Sequence, residues 1–576
     1  MEGLDGAEDI SDVNELRFRI AALEARLKDV RAEEIQAQTN SSTLRTAQNL
    51  DEFGHSDFIT FVNVKDENNL SLDEQRQRGW LHYFWHRYNF STFVHRPRLH
   101  QWLSYEEVGK PRIFRDINER TTSRFELFFD LLFVGLVHQL AEATAEQPNG
   151  YGLARFVLTF CPAYSIWGDM RDFINQFGND DMLQRLYIIW TMILLVGYQV
   201  NAGSANLQPE GEIGEELARQ SHRAIQYALA FVVVAKASRI AVISAYAKYL
   251  PLSRRAMMIN SLVTLFLLVS YLVAIWLPIT GIYALVIVAI LGEYALKISA
   301  LMILRFISTL TSRRRKAKDA EAVPQDNTQN SSSASPHEEK LEGYVTPVKM
   351  LTASTTLQRY PAVAIEHHIE RLACFTIIVL GELVVNILFR TESPPGLNSE
   401  TGRSVLGLMV AFNLNWIYSE SEVCHHYVHA VRRNWLTSFL YTTLHLPLSL
   451  ALLLASAAMA RLVEAEHSEE VPRAIYFFQS SGFGLAVILM GCIGFLHKPT
   501  HSHRRRGLLI AFRLAVGTVS CFIPFAKDTI SPLQLQGINV SLTSLIIILE
   551  AVSKLQRVGP DAHVRPTAPV KAKPYM

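Results

Sequence analysis

Hydrophobic positions along the chain gather into runs of roughly 20 residues, each long enough, at about 1.5 Å of rise per residue, to cross a hydrocarbon core of about 30 Å. The runs lie at 125–143, 152–170, 185–202, 224–246, 257–277, 279–304, 367–389, 404–420, 436–460, 475–496, 507–525 and 536–554. Hydropathy therefore predicts an all-α polytopic bundle of about twelve transmembrane spans. Pro162 and Pro524 fall within the second and eleventh runs, and a span tolerates proline where neighbouring helices satisfy the freed carbonyls. The polar stretch 312–360 has no apolar period and is expected to be a disordered cytoplasmic linker. It separates a first membrane half, 125–311, from a second, 361–555, a six-plus-six arrangement common in transporters built from two similar halves. "ILGEYALKI" from Ile290 echoes "VLGELVVNI" from Val379.

Basic residues set the orientation, because short cytoplasmic loops hold the Lys and Arg excess. Arg112, Arg115, Arg120 and Arg124 precede the first span, and Arg254–Arg255, Arg313–Arg315, Arg432–Arg433 and Arg504–Arg506 occupy even-numbered loops. Both termini are then cytoplasmic.

Ahead of the spans, region 1–75 contains apolar residues at Val13, Leu16, Ile20, Leu23, Leu27 and Val30, a heptad stripe on a helix over 13–35. Two readings stay open: a coiled coil that forms a homo-oligomer through residues 13–30, or a solitary amphipathic helix. Residues 76–124, with "GWLHYFWHRYNFSTFVHRPRLHQW" from Gly79, read as an aromatic and basic juxtamembrane collar. The tail 556–576 is expected to be disordered.

Composition adds exclusions. The chain is 49% hydrophobic and 19% charged with a formal net charge of +1, and its basic residues follow topology without gathering into a nucleic-acid patch. No Gly-rich phosphate loop stands out, no cofactor is expected, and the five cysteines suggest no disulfide framework. The expected partners are the lipid bilayer and a small solute or ion whose identity the residues do not give. The expected location is a membrane crossed many times, with the plasma membrane as the guess.

The candidate chemistry lies in charges within the spans. A charge at the centre of a membrane helix costs about 2.5–3.5 kcal/mol on insertion scales, so such groups need polar partners and often mark ion or proton pathways. Glu126 and Asp130 share one face of the first span, with His138 and Glu142 flanking it. Lys236 and Arg239 lie in the fourth span, Glu293 and Lys297 in the sixth, and Glu370, Arg371 and Glu382 in the seventh. One shared cluster is expected, with Asp130, Glu293 and Glu382 as partners for Lys236; static ion pairs that hold helix register are the competing reading. Histidines supply a second candidate: "EVCHHYVH" places Glu422, His425, His426 and His429 at helical spacing, and "EHHIE" adds His367 and His368. Such spacing can hold a metal, although the zinc-protease His-Glu-x-x-His pattern is absent.

Two strings resemble the signatures of the low temperature requirement A family: "ELFFDLLFVGLVHQL" from Glu126 and "HHIERLACFTIIVLGELVV" from His367. The residues that match are Glu126, Asp130, His367, Glu370, Arg371, Gly381 and Glu382, while His138 and Leu383 stand where small hydroxyl residues are expected. The first hundred residues and the linker look like additions of the sort seen in fungal members. The resemblance implies a helical membrane protein whose molecular activity is poorly defined. The leading expectation is a transporter or permease-like protein, proton- or cation-coupled through its carboxylate and basic network. The alternatives are a membrane-anchored scaffold or signalling protein and, behind it, an intramembrane metal-dependent enzyme. No nucleophile elbow or closed ligand set is visible, so no catalytic residue is assigned and enzymatic activity is not expected.

Overall fold

The computed structural model describes residues 59–62, 95, 97–105, 111–116, 120, 122–208, 214–321, 359–389, 396, 398–422, 427–465, 471–499 and 504–554. The heptad segment 13–35, most of the aromatic collar, linker residues 322–358 and the tail lie outside the described residues.

The apolar runs all become helices: α1 Arg124–Glu146, α2 Gly150–Phe177, α3 Met182–Ala202, α4 Glu215–Tyr249, α5 Arg254–Ala274, α6 Ile279–Glu321, α7 Ile365–Phe389 and α8 Ser399–Glu422. The short α9 Ala430–Arg433 follows, then α10 Trp435–Glu464, α11 Arg473–Leu496, α12 Arg504–Phe522 and α13 Pro532–Lys554. Ten of these are long and apolar enough to cross a membrane; α2 and α8 are not among them. Their apolar stretches are more interrupted, by Arg155, Pro162 and small or polar residues in α2 and by Asn413 and Asn415 in α8.

Proline acts differently at its two positions. Pro162 lies inside α2, whereas α12 stops at Phe522 and a 3-10 segment, Ile523–Thr529, carries Pro524. A proline has no N–H for the helical ladder, so a change of helical type there is a local solution. Meanwhile α6 runs on to Glu321, past residue 312 where the linker was expected to begin. Lys and Arg are good helix formers, so the basic run Arg313–Lys316 extends the helix once it has started.

A four-stranded sheet, two of whose strands lie in the collar, was not expected from the sequence. It comprises β1 Ile59–Val62, β2 Gln101–Tyr105, β3 Pro111–Asp116 and β4 Tyr360–Pro361, in the order β1-β3-β2-β4. β1 pairs with β3 in parallel, while β2 pairs antiparallel with β3 and with β4. Trp102 stacks on Phe114 at 5.9 Å, a cross-strand aromatic pair, and the Arg359 guanidinium lies 4.7 Å over the Trp102 ring. Arg115 on β3 pairs with Glu366 at 2.9 Å, so the sheet is tied to the start of α7. A second pairing, β5 Tyr427–Val428 with β6 Lys498–Pro499, is antiparallel.

The chain divides into two compact units. The first holds residues 1–129, 162–201 and 222–371, and the second holds 130–161, 202–221 and 372–576. α5 and α6 lie wholly in the first unit and α8 to α13 in the second, while α1, α2, α4, α7 and, by Ala202 alone, α3 contribute residues to both.

Within the second unit, small residues let helices approach closely. A Cβ at Gly484 would lie 2.4 Å from the Gly517 carbonyl oxygen, one at Gly517 would lie 2.6 Å from that of Gly484, and one at Gly482 would lie 2.8 Å from that of Ala451. Backbone-to-backbone packing of this kind is how membrane helices associate where burial from water is no driving force.

Candidate functional site

In the first unit, the α2 face that carries Ser165 and Asp169, four residues apart, is turned toward α4 and α6. Lys236 on α4 is completely buried. Its ammonium donates to Asp169 Oδ2 at 2.7 Å and to Ser165 Oγ at 2.6 Å. The Ser165 hydroxyl donates in turn to Glu293 Oε2 at 2.5 Å, and Lys297 Nζ donates to Glu293 Oε1 at 2.7 Å. One hydrogen-bonded line thus joins Lys297, Glu293, Ser165, Lys236 and Asp169. Its ends are more open than its centre: the Lys297 side chain is 35% exposed and Asp169 17%, against 0% for Lys236.

The expected partners of Lys236 are therefore corrected. Its ion-pair partner is Asp169, Glu293 joins through a serine, and neither Asp130 nor Glu382 is its hydrogen-bond acceptor. Asp169 went unnoticed because "GDMRDF" reads as the end of a span running into a loop, whereas α2 continues to Phe177 and keeps the carboxylate on a helix. The signal was present as Ser165 and Asp169 at helical spacing. Arg239, one turn beyond Lys236, is buried with its guanidinium 5.3 Å over the Phe173 ring and has no ion pair among the described residues.

A second set surrounds the start of α1. Ser123 and Glu126 form a reciprocal cap: Ser123 Oγ accepts from the Glu126 N–H, and Glu126 Oε1 accepts from the Ser123 N–H, each at 3.3 Å. Glu126 also receives Arg371 and His367 on Oε2, the latter at 2.9 Å, with Arg120 at 3.5 Å from Oε1. Asn175 orients the histidine. Its Oδ1 accepts from the Ala364 N–H, so its Nδ2 is a donor, His367 Nδ1 accepts, and His367 Nε2–H points at Glu126. Nearby on the sheet side, burial first and then the charges of Arg115 and Arg120 hold His100 down to about 3, so it stays neutral. Glu370, expected in the relay, is exposed.

In the second unit, His138 lies 3.7 Å from Glu382 and 3.5 Å from Glu142, and Asn386 bridges from His138 at 3.4 Å to Ser456 at 2.7 Å. Asp130 is completely buried in the same unit. The first unit thus holds two sets with their own partners, one around Lys236 and one around Glu126, and the second unit holds a set around His138.

The metal reading fares differently residue by residue. Both ring nitrogens of His367 are engaged as described, and His368 is buried. His429 was expected to share a helical face with His425; it instead precedes α9 as its N-cap, with Nδ1 accepting from the Val431 N–H at 3.2 Å. His497 Nδ1 accepts from the neighbouring Ala430 N–H at 2.9 Å. Burial, then Arg432, pushes His429 down to about 3. His425, His426 and the Glu422 side chain lie outside the described residues, and among the described residues no group of three His, Cys, Asp or Glu is arranged to hold a metal ion.

No curated protein and no solved structure matches the chain. The family model described as "Bacterial low temperature requirement A protein (LtrA)" matches residues 121–539, which spans the helices from α1 into α13 and takes in Glu126, Asp169, Lys236, Glu293 and Glu382. With most of the chain covered, this multi-pass membrane protein belongs to the low temperature requirement A family.

Proposed function

We propose that the protein is a transporter or permease-like protein in which the line from Lys297 to Asp169 couples solute movement to a proton or a cation. The observation that carries this reading is the fully buried Lys236 ammonium, tied at 2.7 Å to Asp169 and through the Ser165 hydroxyl to Glu293. Charges in a span are costly and commonly mark pathways. The serine makes transfer chemically simple: a proton leaving Lys236 Nζ for Ser165 Oγ, while the Ser165 proton passes to Glu293 Oε2, neutralises both charged groups in one step. The more exposed ends at Lys297 and Asp169 would exchange with water or with a coupling ion. In this reading all twelve long helices span the bilayer, the charge of α2 being accommodated by α4 and α6.

The test is flux into liposomes that carry an entrapped pH-sensitive dye, under imposed proton, sodium or potassium gradients. Wild type should exceed empty liposomes, Glu293→Gln and Asp169→Asn should fall to the empty-liposome rate, and Ser165→Ala should fall while Ser165→Thr retains flux. Wild-type flux no greater than that of empty liposomes, or equal flux in all variants, would refute the proposal.

A further inference from the structure

The first turns of α1 and α3 border a cleft of about 460 Å³. Its wall presents three guanidinium groups, Arg120, Arg124 and Arg185, and two carboxylates, Glu126 and Asp180. The carboxylates are unequal. Glu126 is buried and shared among Arg371, His367, the helix cap and Arg120, the last at 3.5 Å, so one carboxylate answers two guanidinium groups and positive charge is left over. Asp180 reaches Arg185 only at 3.5 Å, with side chains 57% and 45% exposed, a loose pair that a stronger anion can displace.

Arg120 supplies the independent sign of a ligand. Its side chain is only 10% exposed and its Nη2 reaches Glu126, yet among the described residues Nε and Nη1 have no hydrogen-bond partner, and neither has the buried Thr122 Oγ1 on the same wall. A buried donor left unmade costs about 1–3 kcal/mol, more when charged, which an incoming acceptor would relieve. Gly178 makes room for this arginine: its φ is +30°, and a Cβ there would lie 1.5 Å from Arg120 Nη1.

The flanks indicate where the acceptor comes from. Phe125 lines the cleft under the Arg185 guanidinium, 4.6 Å from it, and Phe125 and Phe128 on α1 and Leu186 and Ile189 on α3 are all large apolar side chains left exposed. Basic groups at the ends of two spans, beside apolar faces open to lipid, match what an anionic headgroup and its acyl chains require. The volume exceeds what a lone phosphate fills and lies within the range of about 300–1,000 Å³ of small-molecule sites. We propose that this cleft binds a phosphate group, presented by an anionic bilayer lipid with a sugar-sized phosphorylated headgroup. The proposal stands apart from the transport line and does not depend on it.

The test uses the full chain in phosphatidylcholine nanodiscs with and without monophosphorylated phosphatidylinositol, with bound lipid read by native mass spectrometry and by displacement of a fluorescent analogue. Each cleft guanidinium that meets the phosphate contributes about 1 kcal/mol, so Arg185→Gln should weaken lipid binding about five-fold and Arg120→Gln with Arg185→Gln about 25-fold. Arg254→Gln, an exposed arginine at the start of α5, should leave it unchanged. The single Arg185→Gln variant guards against misfolding, because Arg185 is exposed and Arg120 touches the buried Glu126. Equal binding by wild type and Arg185→Gln, or equal weakening by Arg254→Gln, overturns the site. Displacement of the lipid by inorganic phosphate at the lipid's own concentration overturns the lipid as the source of the phosphate.

Discussion

Two buried polar interiors solve the same problem with different chemistry. Around Lys236, Asp169, Glu293 and Lys297 the first unit uses full charges, linked through one serine. In the second unit, which also buries the Arg513–Glu550 pair between α12 and α13, the contacts of α8, α11 and α13 with one another run through neutral groups. Gln479 donates to Gln536 at 3.1 Å, Asn539 reaches Gln479 at 3.4 Å, and Asn413 donates to Thr543 and Ser544, each at 2.9 Å. Amide and hydroxyl groups join helices at little risk, since each loss leaves a dipole; a broken ion pair leaves a bare charge. The neutral interior suits fixed packing, and the charged one can change protonation state. That difference is why transport chemistry is assigned to the first.

The contrast is tested most severely by removing one member of each network. Asp169→Ala leaves Lys236 buried and unpaired and should cost about 3–5 kcal/mol in denaturant unfolding from mild detergent. The double change Asp169→Leu with Lys236→Met should recover most of that loss. Single and double variants that unfold alike would erase the distinction between the two interiors.

Close packing in the neutral region comes next. Gly484→Ala forces a Cβ to 2.4 Å from the Gly517 carbonyl oxygen and should cost about 1–3 kcal/mol, whereas Gly381→Ala, with nothing within 4 Å of its Cβ position, should leave the midpoint within about 0.5 kcal/mol of wild type.

The second unit also holds a titratable group that must stay neutral. His429 has its pKa lowered from 6.5 to about 3 by burial and by Arg432, so between those values the unfolded chain takes up a proton that the folded one refuses. Its contribution is intact above pH 6.5 and shrinks as pH falls toward 3, by at most about 1.4 kcal/mol per pH unit. His429→Asn keeps an N-cap acceptor and removes the titration, so its acid unfolding profile should be flatter than that of wild type over that window. A modest effect is expected at Gln536→Leu, about 0.6 kcal/mol, the average worth of a hydrogen bond between membrane helices. A loss as large as that of Asp169→Ala would show the amide network to matter as much as the charged one.

Much of the architecture was legible along the chain because membrane spans are a one-dimensional signal. Length and hydropathy placed the twelve long helices found among the described residues, ten of them long and apolar enough to span, and the strings from Glu126 and His367 identified the family. The sheet at β2 and β3 was not legible, because "QWLSY" and "PRIFRD" are short and mixed in polarity, and their pairing brings in Tyr360 from beyond the linker. His429 misled for a related reason. Its spacing from His425 fits one helical face, but α8 ends at Glu422 and a strand pair intervenes before α9.

By itself the sequence determined that charged side chains inside spans must find partners, and it named Lys236, Glu293 and Lys297 though not Asp169, because the cost of an ion in hydrocarbon follows from residue type and depth. Tertiary structure alone decided the partners. Whether Lys236 meets Asp169 or Asp130 depends on the rotation and vertical offset of one helix against another, and those are set by side chains packing along entire helix faces. No local spacing encodes that choice.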